Sequence, residues 1–102
     1  MVEVNWTTQS LEDIDNIAEY IAKDSKRYAE LQVTDFFDSA KNLEEFPKSG
    51  RVVPEVNDKN TRELLVGFYR IIYRIKTPKK IDILTVYHTM RILTKKKIKT
   101  LK

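Results

Sequence analysis

Two helical patterns lie almost end to end between residues 11 and 45, and neither can bury its own apolar stripe. In "LEDIDNIAEYIA" the apolar positions Leu11, Ile14, Ile17, Ala18 and Ile21 recur at helical spacing, with acids between them facing water. After "KDS", where Asp24 or Ser25 can cap a new start, the pattern returns at Ala29, Val33, Phe36, Phe37, Ala40 and Leu43. It ends before Pro47, and Gly50 follows. So short a connection folds the two helices into an antiparallel hairpin. Two apolar stripes then need a further surface to cover, and a sheet is the natural one.

The rest of the chain supplies that sheet. "VEVNW" alternates, with Val2, Val4 and Trp6 on one face, and "TTQS" offers hydroxyls for the first helix start. "RVVPEV" is short and extended, and Pro54 places it at an edge or in a loop. "TRELLV" (61–66) reads as a strand, and Gly67 with Phe68 leaves room only for a tight reversal into "YRIIYRIK". "TPKK" is the next turn, and "IDILTVYH" (81–88) is the last strand. The order is β–α–α–β–β–β in an α+β fold: a helical hairpin on a small, curved, mainly antiparallel sheet. The 102 residues make one domain, 1–102, with a basic tail from about residue 91.

Several function classes fall away. There is no cysteine, so disulfides and thiolate metal sites are excluded, in keeping with a reducing cytoplasm. No apolar run approaches the ~20 residues of a membrane span, no secretory leader is read, and no membrane partner is expected. Glycine occurs only at positions 50 and 67, so a Gly-rich loop for a nucleotide cofactor is absent. No metal-ligand cluster is visible, and no small-molecule cofactor is expected. Charge is more informative. Residues 11–45 carry a net −6 and residues 46–102 a net +11, within an overall +4. Such asymmetry suggests an anionic partner, against the alternative of a merely solvated basic surface.

The strand "FYRIIYRIK" carries two arginines among apolar residues. Alternation puts Arg70, Ile72 and Arg74 on one face and Ile71, Tyr73 and Ile75 on the other. If the helices cover the second face, the arginines stand on an open, wet face suited to phosphate oxygens. The alternative is an ion pair with Glu63 or Asp82. A tight hairpin at Gly67 would bring Arg62 beside Arg70, with an anion between them. His88 ends the last strand, next to Tyr87, which can position it or stack on a base. Glu55 can serve as a general base if it reaches the same surface, so Glu55, His88 and Arg70 together would suit cleavage of RNA through its 2′-hydroxyl. A lone histidine is as readily a packing residue. The tail adds Arg91, Lys95, Lys96 and Lys97, which suit non-specific nucleic-acid contact or simply solubility.

Taken in order, Trp6 with "LEDIDNIAEYIAKDS", "FPKSGRVVPE", "TRELLVGFYRIIYRI" and "ILTVYHTMRIL" resemble the ParE/RelE superfamily of toxins from type II toxin–antitoxin pairs, which includes plasmid stabilisation proteins. The resemblance covers about ninety residues and implies a small curved sheet with an N-terminal helical hairpin. It implies a cytoplasmic bacterial toxin held inactive by a cognate antitoxin. ParE-like members inhibit DNA gyrase, whereas RelE-like members cut mRNA on the ribosome as metal-independent endoribonucleases. Arg70 matches the phosphate-binding arginine of the RNA-cleaving members, and Glu55 and His88 resemble the acid–base pair of one subgroup. Arg62 falls where other members carry a basic residue. "TRELLV" has no lysine and no tyrosine follows Tyr87, unlike some RNA-cleaving relatives. The long first helix and the "VPE…REL…YR…HxxR" pattern place the chain closer to the ParE-like branch, with ribosome-dependent mRNA cleavage as the alternative.

Overall fold

Both expected helices begin on a hydroxyl. Thr7 caps α1 (Thr8–Ala22), its Oγ1 accepting from the Ser10 N–H at 3.2 Å. Ser25 caps α2 (Lys26–Lys41) in the same way, accepting from the Tyr28 N–H at 3.2 Å. A 3-10 turn, Asn42–Glu44, tightens the end of α2 before Pro47. The computed structural model of the chain describes residues 1–90 and Ile98. The expected basic tail therefore lies outside the described residues, apart from Ile98.

The sheet has five strands: β1 (Glu3–Trp6), β2 (Arg51–Val52), β3 (Thr61–Val66), β4 (Tyr69–Thr77) and β5 (Lys80–His88). Their spatial order is β1-β5-β4-β3-β2. Strands β2 to β5 form antiparallel ladders, and the two-residue β3–β4 turn puts Gly67 at φ +60°, a value that favours glycine. β1 instead pairs with β5 in parallel, from Glu3↔Lys80 to Trp6↔Ile83. No hairpin links these two strands, so no turn dictates their direction. Thr7 reinforces the junction, its hydroxyl donating to the Ile83 carbonyl at 2.6 Å.

The main core lies between the helices and one face of the sheet. Ile14, Phe36, Ala40 and Leu43 pack against Val66, Ile71, Tyr73, Ile81, Ile83 and Val86. The faces of β4 are those that alternation predicts. The expectation of an open second face is not met. Val53, Ile72, Leu84 and Ile98 form a second small core there, with Val56 and Tyr87 at its margin. Strand β4 is therefore buried on both sides from Arg70 to Tyr73. The cover comes from Val53 and Val56 of the loop after β2 and from Ile98, none of which strand periodicity can place.

One irregularity decides where the end of β5 points. Ile72 opposes Thr85 while Tyr73 opposes Ile83, so Leu84 is an extra residue in its strand. Simple alternation would group Ile81, Ile83, Thr85 and Tyr87. The bulge instead gives Ile81, Ile83 and Val86 to the helix side, with Leu84 and Tyr87 in the opposite core.

Candidate functional site

The second face centres on a four-charge cluster. Glu63 on β3 lies directly across from Arg51 on β2 and diagonally from Arg70 on β4. One Glu63 oxygen accepts from Arg51 Nε and the other from Arg70 Nε. The terminal nitrogens of Arg70 donate to the two Glu55 oxygens at 2.8 and 2.9 Å, a bidentate pair. Side-chain exposure grades outward through the cluster: 0% for Glu63, 9% for Arg70, 31% for Glu55 and 61% for Arg51. The hydrogen bonds that Arg70 donates to Glu55 raise the pKa of Arg70 further, against burial, and Arg70 in turn holds Glu55 below the ordinary carboxylate value.

The loop that brings Glu55 here is built locally. Asp58 accepts from the Asn60 N–H at 3.1 Å and from the Thr61 hydroxyl at 3.1 Å, which lowers its pKa. Asn57 takes a left-handed φ of 54° and returns its N–H to the Val53 carbonyl at 2.9 Å. Asparagine tolerates that conformation better than most residues do.

Other predicted residues fall elsewhere. Arg62 opposes Tyr73 in the ladder, whereas Arg70 opposes Leu65, so Arg62 and Arg70 lie on opposite faces. The expected anion site between them does not form. The reason is parity: the Gly67 turn pairs residues whose numbers sum to 135, which gives residues 62 and 70 to different faces. Arg62 spans loop carbonyls instead, donating to Lys59 O at 2.8 Å and Gly50 O at 3.0 Å. Arg74 stays on the Arg70 face, but Glu63 pairs with Arg70 and Arg51, not with Arg74. The Arg74 Nε donates to Thr61 Oγ1 at 3.5 Å.

His88 opposes Tyr69 and stacks edge-on against it, with ring centroids 5.2 Å apart. Tyr69 in turn meets Phe36 of the main core at 5.4 Å. His88 is thus on the helix side, while Arg70 and Tyr87 oppose each other on the far side. The structure brings Glu55 and Arg70 together and leaves His88 across the sheet from both. The condition under which the three would suit RNA cleavage, a shared surface, is met by Glu55 and Arg70 and not by His88. The His88 Nδ1 accepts the Met90 N–H at 3.0 Å, so Nε2 carries the proton of the neutral ring. Arg91, Lys95, Lys96 and Lys97 lie outside the described residues.

Two participants escaped the sequence reading. Arg51, in the edge strand, shares Glu63 with Arg70. Asp13, taken as one of the water-facing acids of α1, reaches β5, where it accepts from the Thr85 hydroxyl and, at 3.1 Å, from the Val86 N–H. β1 stops at Trp6, so that edge of β5 has no further strand neighbour. The spacing of Asp13 one helical turn, four residues, before Ile17 was the available signal. Beside it a groove of about 760 Å³ runs between α1 and the end of β5, lined by Ile17, Tyr20, Tyr69 and His88 among others. Among the described residues no group of three or more His, Cys, Asp or Glu is placed to hold a metal ion. No helix there is long and apolar enough to cross a membrane.

Three comparisons meet on this architecture. A protein of Sinorhizobium fredii (strain NBRC 101917 / NGR234) whose name reads "Putative toxin Y4kP" is 33% identical over 85 residues, covering 83% of this chain and 85% of its own. A solved structure, the chromosomal ParDE TA system from P. aeruginosa, superimposes with a TM-score of 0.71 at 24% identity. That likeness covers 86% of this chain and 96% of that one, and it supports the fold. The family described as ParE toxin of type II toxin-antitoxin system, parDE, matches residues 4–93. A match across that much of the chain shows that it belongs to the ParE toxin family of type II toxin–antitoxin systems.

Proposed function

We propose that this toxin arrests growth by binding DNA gyrase rather than by cutting RNA, and that a cognate antitoxin neutralises it. The observation that carries the reading is the separation of the would-be catalytic parts. Acid–base cleavage of a phosphodiester needs a base, an acid and a cation at one phosphate. Here all three donor nitrogens of Arg70 that make hydrogen bonds are engaged by Glu55 and Glu63, and His88 is on the other face. Glu55 is an anion already neutralised by Arg70, a poor general base. The ParE-like features of the sequence point the same way.

For target contact we propose the basic groups at the Thr61–Arg74 end of the β3–β4 ladder, Arg62 on one face and Arg74 on the other, together with Tyr87 and with Arg91, Lys95, Lys96 and Lys97, which lie outside the described residues. The antitoxin would then be a segment with acidic and apolar residues, able to cover basic and greasy surface together.

Purified toxin should block gyrase supercoiling and accumulate cleaved DNA, while mRNA in a translating extract stays intact. Transcripts cut in that extract, with cutting lost on His88→Ala, would overturn the reading in favour of a ribosome-dependent endoribonuclease.

A further inference from the structure

A groove of about 660 Å³ runs along the solvent side of the helical hairpin, between α1 and α2. Its floor is apolar: Ala18 and Ala22 from α1, Ala29 and Val33 from α2. Helical spacing continues that floor to Leu11 and Phe37, which are 41% and 40% exposed. The outer side of a surface hairpin is normally polar, so an apolar strip there is a surface for another element to cover.

Charge indicates which element. The closed end of the hairpin carries Lys23, Lys26 and Arg27, and the open end carries Glu12, Asp15 and Asp38. The acids Glu19 and Glu30 line the middle. Among the described residues none of the charges at either end is held in an ion pair within the chain. An apolar strip with a basic end and an acidic end is complementary to the same strip turned end for end.

We propose that this groove is a two-fold interface with a second copy of the chain, each helix lying antiparallel on its counterpart. An axis across the middle of the strip brings Lys23 of each α1 over Glu12 of the other. It brings Lys26 and Arg27 of each α2 over Asp38 of the other. Because the contact is isologous, every pairing occurs twice. The alanines let the helices approach closely, while Asp15 and Glu19 meet across the axis and keep the dimer reversible. The sheet side stays free, so the inference goes beyond the proposed target and does not depend on it. The basic sheet side of a second copy could also meet the acidic hairpin, but that head-to-tail contact does not close and grows into chains.

Sedimentation equilibrium of the purified toxin at low salt, from micromolar to submillimolar concentration, should fit a monomer–dimer equilibrium. Lys23→Glu with Lys26→Glu sets acid against acid, and Glu12→Lys with Asp38→Lys sets base against base. Each pair should raise the dimer dissociation constant at least about tenfold, because juxtaposed like charges oppose association. A chain carrying all four reversals has the parent's net charge and pairs base with acid again, so it should dimerise as the parent does. Ala18→Glu, close to the axis, should abolish the dimer. Circular dichroism and the thermal midpoint of dilute samples confirm that each variant is folded. A monomer at every concentration would leave the groove to a different chain and overturn the proposal. Growth past the dimer would overturn it in favour of head-to-tail contact, and folded reversals that fail to rescue each other would overturn the stated geometry.

Discussion

Glu63 is the residue on which most of the second face depends. It is the only carboxylate in contact with both Arg51 and Arg70 among the described residues, and water does not reach it. A buried ion pair contributes little net stability, but breaking one leaves a charge with no compensation. Glu63→Ala should therefore destabilise the fold by about 3–5 kcal/mol in urea unfolding, the usual cost of orphaning a buried partner. Arg51→Ala, at the exposed end of the same cluster, should cost less, about 1–3 kcal/mol, because it leaves one buried Glu63 oxygen without its donor while Arg70 keeps the charge paired. The two variants together separate burial from pairing.

The same cluster and the loop beside it set an acid limit. Glu55 and Asp58 are held below their ordinary values of 4.5 and 3.8, by Arg70 and by the Asn60 N–H respectively. Because both are lowered in the folded state, the unfolded chain takes up these protons first as pH falls. Their contribution is complete above about pH 5 and fades as pH drops through the folded values. Glu55→Gln should flatten that part of the acid limb, measured as the midpoint of urea unfolding between about pH 3 and pH 6. A variant with the parent's slope would show that Glu55 adds nothing to it.

At the scale of elements, the helices and the last three strands were legible because each is written locally. Ser25 is a cap four residues before Ala29, where the apolar pattern resumes, and Gly67 sits where only two residues separate two strands. The helix-facing side of β4 followed from alternation for the same reason. What alternation could not carry was everything set by chain outside the strand. The Leu84 bulge moves His88 to the helix side, and no residue in "IDILTVYH" announces it. The 53–60 loop turns an expected wet face into a second core, so Arg70 reads as surface in the strand and is buried in the fold. Gly50 shows how closely such segments approach. Its N–H donates to Tyr73 Oη at 3.0 Å, while that hydroxyl donates to the Pro47 carbonyl at 2.9 Å. A Cβ at position 50 would lie 2.5 Å from Glu63 O and 2.6 Å from Tyr73 Oη. Backbone cannot yield that space cheaply, so Gly50→Ala should cost about 1–3 kcal/mol, typical of overpacking. Combining it with Tyr73→Phe should restore little, because the carbonyl clash persists.

For the whole molecule, the charge asymmetry becomes spatial. The acidic residues 11–45 supply the helical hairpin on one side of the sheet, and residues 46–90, net +5, supply most of the sheet and its loops. The result is a body with one negative and one positive side, which steers anionic partners to the sheet. That polarity predicts where salt acts. Binding to a short duplex should weaken with salt, and the log–log slope should fall by about 0.9 for each phosphate contact removed. Lys59→Glu with Arg62→Glu, on the β3 end of the sheet, should reduce both affinity and slope. Lys26→Glu with Arg27→Glu, at the exposed start of α2, changes net charge equally and should alter the slope little. Equal losses from the two pairs would mean that net charge alone governs the association and that the sheet side has no privileged role.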